Sequence, residues 1–561
     1  MKRIPGILFL IALSVSLNAQ PLSTQDQHVV DSIMNANYKP DEPGAVLLIA
    51  KAGKPIYRKA FGLSNLEFNV PNKPENIFRI ASMTKQFTAV CVLQLAQRGK
   101  LNLQDDIKKY LPDYNSHGRR ITIEHLLSHT SGIPDFAEKK DFPAQMVLTQ
   151  SPGELMNFFM NDSLTFEPGT NWGYSNSGYV VAGLIVEKVS GLPLNEYIRE
   201  NIFAPLDMNH SAIGNYDSLV RNASYGYINA ASGKYMPILY MSWSWPYAAG
   251  NIISNVDDLL KWDNALYTEK ILKKEWTEKA WRSVVLPDGQ NANYGFGWTS
   301  NNYKGIQFID HAGGMAGFSS DAIRIPSKQL YMVILSNKPI WTVPVLSSIA
   351  LQLIHAPRQP INHLTQKALN DYTGVYAISQ SFYAKAPGET LYQYFTVRDD
   401  TLFAQSPGYP KSVLVNVGKD LFAWAWWKNS YCEFRRDKKG KVISAEFYNE
   451  PVQTGPRNVQ KKTDLPLPKA KQAVTLAAAK LALFSGKYDF TGGLVLSITT
   501  EGDRIYFQMP GQQKEEFFAE NETNLFSKAT DSTIEFTEDK GKISGMVFKV
   551  QGTQYPGKKM E

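Results

Sequence analysis

The first 356 residues alternate between two hydrophobic patterns. Continuous apolar runs bounded by turn residues predict buried strands, and apolar residues at helical spacing predict helices. The predicted strands are 45–50, 56–61, 294–299, 306–310, 318–325 and 330–336. The predicted helices are 83–97, 180–189 and 343–355. Because strands lie at both ends of this region around a helical middle, we expect an α+β domain with one antiparallel sheet flanked by helices, plus a helical subdomain.

After residue 356 the pattern becomes strand-rich, with frequent Gly, Asn and Asp turns. A weak repeat is present, because 372–376 (YTGVY) recurs as 484–488 (FSGKY). We predict two small antiparallel β-barrel-like modules, 370–452 and 475–561. Pro-containing and Lys-containing segments predict linkers at 357–369 and 453–474. Chance similarity between short β segments is the alternative interpretation of the repeat.

The N-terminus has the pattern of a targeting segment. Lys2 and Arg3 precede a mostly apolar run over 4–17, and Ala19 is a small residue of the kind that signal peptidase favours. We therefore predict a signal peptide over 1–19, a hydrolase domain over 20–356 and a periplasmic or secreted mature chain; an uncleaved anchor is the alternative. No later apolar run is long enough to span a bilayer, so we expect no stable membrane insertion of the mature chain.

The charge pattern argues against a nucleic-acid-binding protein, and the cysteine content argues against a protein held together by disulfides. The chain has 59 Lys and Arg against 52 Asp and Glu, a net charge of +7, without a dense basic patch. This pattern does not indicate nucleic-acid binding. The only two cysteines, Cys91 and Cys432, fall in different predicted domains, so we expect them to be free and buried rather than paired.

The strongest chemical signal is the sequence Ser82-Met83-Thr84-Lys85. If a helix begins at Ser82, the i, i+3 spacing places the hydroxyl and the amine on one face. A serine hydroxyl needs a base to act as a nucleophile, and a lysine can serve if burial lowers its pKa. By itself this short motif is common.

Two further motifs strengthen this interpretation. Tyr174-Ser175-Asn176 offers a phenol that can pass on a proton and an amide that can hydrogen-bond both a lysine and a substrate carbonyl. His311-Ala312-Gly313-Gly314 follows a predicted strand, and its small residues would let a substrate backbone lie against the strand edge. The order and spacing of the three motifs together predict one catalytic site.

In these motifs the chain resembles the serine β-lactamase and penicillin-binding-protein superfamily, in its class C, D-alanyl-D-alanine carboxypeptidase and esterase branch. The resemblance extends to Phe78-Arg79-Ile80-Ala81 and to the segments 125–134 (HLLSHTSGIP), 174–179 (YSNSGY) and 294–298 (YGFGW). The layout with two trailing β modules is similar to that of D-aminopeptidases of the same superfamily.

The resemblance implies a role for each matching residue. Ser82 would be the acylated nucleophile, Lys85 its proton acceptor or partner, and Tyr174 the general base and acid. Asn176 would orient Lys85 and the substrate amide. His311 takes the place usually held by a lysine, and Gly313 would line the substrate. The main-chain N–H groups of Ser82 and Gly314 would form the oxyanion hole, and no metal or cofactor is required.

The histidine at position 311 bears on the substrate. A lysine there helps to bind a substrate carboxylate, whereas a histidine is neutral at pH 7 unless its pKa is raised. We therefore expect an exported serine hydrolase of D-amino-acid-containing amides or peptides, or of esters, with a small-molecule or peptide substrate that could include cell-wall fragments. The alternatives are a β-lactamase or D-alanyl-D-alanine carboxypeptidase, and a penicillin- or peptidoglycan-binding sensor that is acylated without turnover. The sequence leaves the oligomeric state open.

His125 and His129 are spaced four residues apart and could meet as metal ligands on one helix face. No third ligand and no zinc-peptidase motif accompanies them. We expect both to have a structural role.

Overall fold

The computed structural model describes residues 21–560, apart from 216–218, 230–233, 239, 358–359, 379–390, 407–408, 426–428, 470, 491–493, 510–513, 531, 540 and 551–552. The predicted signal peptide, 1–19, lies outside these residues and stays a prediction. Among the helices that the structure describes, none combines the length and the hydropathy that a membrane span requires.

One six-stranded antiparallel sheet is built from both ends of the first domain, as predicted. Its strands are β1 (Ala45–Lys51), β2 (Lys54–Phe61), β3 (Thr299–Tyr303), β4 (Ile306–Met315), β5 (Phe318–Ile325) and β6 (Leu330–Ser336). Their order is β3-β4-β5-β6-β1-β2, so the two N-terminal strands complete a sheet begun by the C-terminal ones. The central strands are buried on both faces, which explains their continuous apolar runs.

Helices cover both faces of this sheet. The longer ones are α1 (Thr24–Asn37), α2 (Thr84–Gln97), α3 (Asn176–Ser190), α4 (Val256–Ala265), α5 (Lys274–Trp281) and α6 (Val343–Leu353). A large apolar core joins α2, α3 and α4 to one face of the sheet, and a second core joins α1 and α6 to the other. The three predicted helices and the α+β class are confirmed.

Shorter elements connect these. The short helices are Ile123–Leu127, Phe142–Gln145, Pro152–Asn157, Leu194–Ile198, Tyr247–Gly250, Gln366–Leu369 and Ala478–Phe484, with a π turn at Arg199–Phe203. Single 3-10 turns are Ala81–Met83, Ile107–Lys109, Phe136–Glu138, Ala204–Leu206, Pro326–Lys328 and Asn370–Tyr372. Short strands are Leu63–Asn65, Val70–Pro71, Phe78–Arg79, Ala212–Ile213, Tyr227–Asn229, Tyr235–Pro237 and Ile252–Ser254.

The predicted strand 294–299 is wrong, because regular pairing begins only at Thr299. The preceding residues form a turn that packs on α2 and α5. The Phe296 N–H donates to the Ala280 carbonyl at 2.9 Å. Gly297 has a φ of +82°, and a β-carbon there would lie 2.8 Å from the Lys85 carbonyl oxygen. This left-handed turn and its close approach to α2 explain why the apolar run is not a strand.

The remainder of the chain forms two closed eight-stranded antiparallel barrels, which confirms the predicted β modules. The first consists of β7 (Gly374–Ile378), β8 (Leu391–Arg398), β9 (Thr401–Gln405), β10 (Ser412–Gly418), β11 (Leu421–Trp424), β12 (Ser430–Arg436), β13 (Val442–Asn449) and β14 (Asn458–Lys462). The second consists of β15 (Gly486–Phe490), β16 (Leu494–Glu501), β17 (Arg504–Gln508), β18 (Glu515–Ala519), β19 (Asn524–Ser527), β20 (Thr533–Asp539), β21 (Lys542–Val550) and β22 (Thr553–Lys559).

The segment 453–474, predicted as a linker, contains the strand that closes the first barrel. Here β14 pairs with β13 on one side and with β7 on the other. Its inward side chain is polar, because Gln460 is buried and donates from Nε2 to Gln393 Oε1 at 2.8 Å. A polar residue at an interior position hides the alternating apolar pattern by which a strand is predicted. The predicted linker 357–369 likewise contains the short helix Gln366–Leu369.

Both barrels close with the same local contact. The first strand of each begins with a glycine, Gly374 or Gly486, with φ of +142° and +147°. The stem of a lysine from the last strand, Lys462 or Lys559, occupies the space that a β-carbon would take, 2.9 and 2.8 Å away. Each lysine Nζ donates to the main-chain carbonyl three residues before the glycine, at 3.0 and 2.7 Å. The sequence repeat therefore marks a structural repeat.

Candidate active site

Ser82 lies at the point where a short strand turns into α2. It occupies the 3-10 turn Ala81–Met83, and Ala81 has a left-handed φ of +46° that bends the chain into the helix. Lys85 follows in the first turn of α2, and its Nζ lies 3.2 Å from Ser82 Oγ. Ser82 is partly exposed whereas Lys85 is fully buried. The hydroxyl therefore faces the cleft and the amine lies behind it.

Lys85 is held by neutral oxygen atoms. Its Nζ donates to Asn176 Oδ1 at 2.7 Å and to the Ala249 carbonyl at 2.9 Å. Burial lowers the Lys85 pKa to about 7, and the charge of Asp135 opposes part of this shift. A large fraction of the amine is therefore neutral near physiological pH, which is the form that can accept a proton.

Tyr174 and Asn176 reach the site because a helix begins between them. The Ser175 side chain caps α3 by accepting the Gly178 N–H at 3.0 Å. Tyr174 precedes this cap, its hydroxyl hydrogen-bonds the Ser82 side chain, and its ring lies 4.7 Å from Lys85 Nζ. Burial raises the Tyr174 pKa above its ordinary value. The phenol therefore keeps its proton at neutral pH.

Asp135 is a part of the site that the sequence analysis missed. Its Oδ2 accepts from Asn176 Nδ2 at 2.7 Å, which turns Asn176 Oδ1 toward Lys85. Burial raises the pKa of the Asp135 carboxyl, although the charge of Lys85 opposes that shift. Asp135 directly follows the 125–134 segment, but the contact with Asn176 joins residues 41 positions apart and cannot be read from spacing.

His129 holds the backbone on both sides of Tyr174. Its carbonyl accepts the Gly173 N–H at 2.9 Å, and its Nδ1 accepts the Ser175 N–H at 3.1 Å. The ring is fully buried and its centroid lies 4.4 Å from that of Tyr174. The sequence analysis assigned His129 only an unspecified structural role, and the structure places it directly behind the predicted proton donor.

Replacing His129 tests this arrangement. If Ser82 is acylated as the sequence predicts, His129→Ala should slow that step by about 10–100-fold, because loss of the Nδ1 acceptor frees the segment that carries Tyr174. His129→Asn is the matched control. An asparagine Oδ1 can take the place of Nδ1, and asparagine tolerates the φ of +60° found here. Acylation rates should place the Asn variant closer to the wild type, with thermal unfolding measured for both. Equal losses in the two variants would contradict the hydrogen-bonding role.

The His311–Gly314 run occupies β4 beside Ser82. Pairing between β3 and β4 ends at Thr299 opposite Asp310, so β3 leaves this edge of the run open. A β-carbon on Gly313 would lie 2.2 Å from the Ile80 carbonyl oxygen and 3.1 Å from the Ser82 nitrogen. Only glycine permits this approach, which brings β4 against the turn that carries Ser82.

His311 is neutral in this environment. Its Nδ1 donates to the Ala312 carbonyl at 2.6 Å, which leaves Nε2 to accept from the Tyr294 hydroxyl at 2.8 Å. Burial and the charge of Lys85 lower the His311 pKa to about 3. The histidine therefore supplies no positive charge to a substrate.

An aromatic side chain lies beside Gly314, the residue predicted to contribute the second oxyanion-hole N–H group. Gly314 is exposed, and a β-carbon there would lie 2.8 Å from Trp341 Cζ3. Trp341 is 48% exposed, so one part of the indole packs on the β4 backbone and another part faces solvent. An apolar surface is therefore exposed next to Gly314, in the same strand segment that approaches Ser82 through Gly313.

Comparison with protein-family models gives two matches. A model described as Beta-lactamase matches residues 29–355, which contain every site residue described above. A second model, described as Domain of unknown function (DUF3471), matches residues 470–559, the region of the second barrel.

Individual proteins agree with the first match. Penicillin-binding protein 4* of Bacillus subtilis is 26% identical over 527 residues, which is 91% of this chain and 93% of that protein. The octameric penicillin-binding protein homologue from Pyrococcus abyssi has a TM-score of 0.55 at 25% identity and covers 78% of this chain and 99% of its own. A penicillin binding protein from Bacillus halodurans has a TM-score of 0.51 at 26% identity, covering 58% and 98%. Because the family model spans more than half of the chain, this protein belongs to the Beta-lactamase family.

Proposed function

We propose that this protein is a serine hydrolase that forms a covalent acyl-enzyme on Ser82. The observation that carries the proposal is the fully buried Lys85 amine, which lies 3.2 Å from Ser82 Oγ and has a pKa lowered to about 7. A buried lysine whose pKa lies near physiological pH destabilises the fold, but its neutral form can accept a proton from the serine hydroxyl. The names of the relatives, which describe penicillin binding, support acylation chemistry at this site.

In the proposed acylation step, neutral Lys85 takes the Ser82 proton while Oγ attacks the substrate carbonyl. The main-chain N–H groups of Ser82 and Gly314 would stabilise the oxyanion, and each such donor is typically worth about 3–4 kcal/mol. Tyr174 would protonate the leaving group and recover a proton from Lys85. This assignment revises the role implied by the family resemblance. Because burial raises its pKa, the Tyr174 phenol keeps its proton at neutral pH and can donate it but not accept the serine proton, whereas a large fraction of Lys85 is unprotonated and can act as the base.

The proposed substrates are esters and amides whose recognition does not need a carboxylate beside β4. Neutral His311 offers no cation there, and the exposed face of Trp341 offers an apolar surface instead. Amides of D-amino acids remain within this class. A β-lactam is the second candidate, favoured by the names of the relatives.

We further propose that the protein acts outside the cytoplasm, on the basis of the predicted signal peptide.

A penicillin adduct tests the proposed function. The protein incubated with benzylpenicillin should gain the mass of one ligand, and peptide mapping should place the adduct on Ser82. Decay of the adduct over time distinguishes a hydrolase, in which water releases the acyl group, from a sensor that stays acylated. Absence of an adduct with both penicillin and an activated p-nitrophenyl ester, or an adduct on another residue, would contradict the proposal.

A further inference from the structure

A loop of the first barrel lies against the catalytic domain close to the site. This loop, residues 450–457, joins β13 to β14. Its Val452 is buried in the apolar core that α1 and α6 form with the sheet. The Gln453 N–H donates to Asn301 Oδ1 on β3 at 3.1 Å. The 450–457 loop is therefore fixed to the catalytic domain by both apolar and polar contacts.

The middle of the loop packs on a tryptophan next to the catalytic tyrosine. Gly455 has a φ of +79°, and a β-carbon there would lie 2.5 Å from Trp172 Cζ3 and 2.8 Å from its Cε3. The Gly455 backbone thus lies against the six-membered ring of the indole, and a β-carbon there would overlap it. Its carbonyl also accepts from Asn293 Nδ2 at 3.0 Å. Gly455 therefore contacts Trp172, which lies two residues before Tyr174, and Asn293, which directly precedes Tyr294.

Trp172 and Asn293 are connected to the proposed catalytic residues through a few packing contacts and hydrogen bonds. Trp172 shares an apolar cluster with Tyr294 and Tyr174, and its ring packs edge-to-face with the His129 ring at 6.0 Å between centroids. Asn293 precedes Tyr294, whose hydroxyl donates to His311 Nε2. Movement of the 450–457 loop would therefore be transmitted to Tyr174 on one side and to His311 on the other.

We propose that the 450–457 loop is a positioning element of the active site, so that the first barrel helps to set the geometry of Tyr174 and His311. This inference rests on the proposed function for its kinetic test, although its structural test does not. The loop does not touch the reacting atoms, and it acts through Trp172 and Asn293.

A pair of glycine variants tests the proposal. Gly455→Ala places a methyl group against Trp172 and should lower the acylation rate of Ser82 by about 10–100-fold. Gly440→Ala is the matched control, because Gly440 lies in the same barrel with a φ of +85° and has open space where the β-carbon would go. The backbone strain is then similar in both variants, and only one of them disturbs the site. The pH at which the acylation rate is half-maximal should shift only in the Gly455 variant.

A second variant and a second readout keep the test independent of folding and of activity. Asn293→Gly removes the hydrogen bond to Gly455 without adding volume and should also slow acylation. Amide hydrogen exchange should increase in the peptide that carries Gly173 and Ser175 in both site-disturbing variants, and not in Gly440→Ala. If the wild type forms no adduct, the proposed function fails while the exchange measurement still decides this inference. The proposal would be overturned if amide hydrogen exchange and acylation rates in Gly455→Ala and Asn293→Gly matched those of Gly440→Ala.

Discussion

Lys85→Met should lower the acylation rate of Ser82 by about 10³–10⁴-fold, and it should raise the stability of the protein. The rate falls because methionine cannot accept the serine proton. The stability rises because the variant removes a buried charge. The fully buried Lys85 has a pKa of about 7 in the folded protein and 10.5 in the unfolded chain, so below pH 7 it is charged in both states and destabilises the fold by its full desolvation penalty. Since hydrogen bonds to Asn176 and Ala249 are also lost, we expect a net gain of about 1–3 kcal/mol at neutral pH.

The pH dependence separates these two effects. Between about pH 7 and 10.5 the unfolded wild type binds more protons than the folded protein, so wild-type stability rises with pH and the advantage of the Met variant shrinks. The wild-type acylation rate should rise through about pH 7 and then level off, whereas the Met variant should show no such step. Lys85→Arg is the control, because it keeps a charge that cannot be removed and should lose the rate without gaining stability. A Met variant that acylates within tenfold of the wild type would contradict the assignment of the base.

Tyr174→Phe should reduce turnover by about 10²-fold, because the leaving group loses its proton donor. The phenyl ring keeps the contacts with Lys85 and His129, so the fold around the site should be retained. Turnover of a p-nitrophenyl ester and of an anilide provides the measurement. The anilide should suffer more, since an amine leaving group needs protonation more than a phenolate does.

Tyr179→Phe is the matched control for Tyr174. The Tyr179 ring also lies near Lys85, with 5.5 Å from Nζ to the centroid, but its hydroxyl donates to the Leu127 carbonyl at 2.7 Å. Loss of that buried hydrogen bond should cost about 1 kcal/mol of stability and leave the rate nearly unchanged. Equal kinetic losses at the two positions would argue that both act through packing rather than through proton transfer.

Local patterns were sufficient for the parts of this protein that depend on neighbouring residues. The spacing of Ser82 and Lys85 predicts their shared helix face, and the cap at Ser175 explains how Tyr174 and Asn176 come together on one turn. Regular apolar runs likewise predict five of the six strands of the main sheet. In each case, the sequence pattern and the structural element that it predicts involve the same few neighbouring residues.

Interactions between distant segments could not be predicted in this way. Asp135 and His129 reach the Tyr174–Asn176 segment across 41 and 46 positions, and nothing in their own neighbourhoods indicates that contact. The turn at 294–298 has the apolar character of a strand, but its glycines serve close packing on α2 and α5. The closing strand of the first barrel was missed because Gln460 faces inward.

The shared closure of the two barrels has a consequence for how the chain reaches its native state. Because Lys462 and Lys559 make the same contact with Gly374 and Gly486, the last strand of either barrel presents a suitable partner to the first strand of the other. Tandem copies of one topology are prone to such exchange during refolding, within one molecule or between two. Emergence of the chain N-terminus first, from the ribosome or from an export channel, separates the copies in time, since the first barrel leaves before the second. Refolding from denaturant removes that order, and strand-exchanged species are its expected by-product.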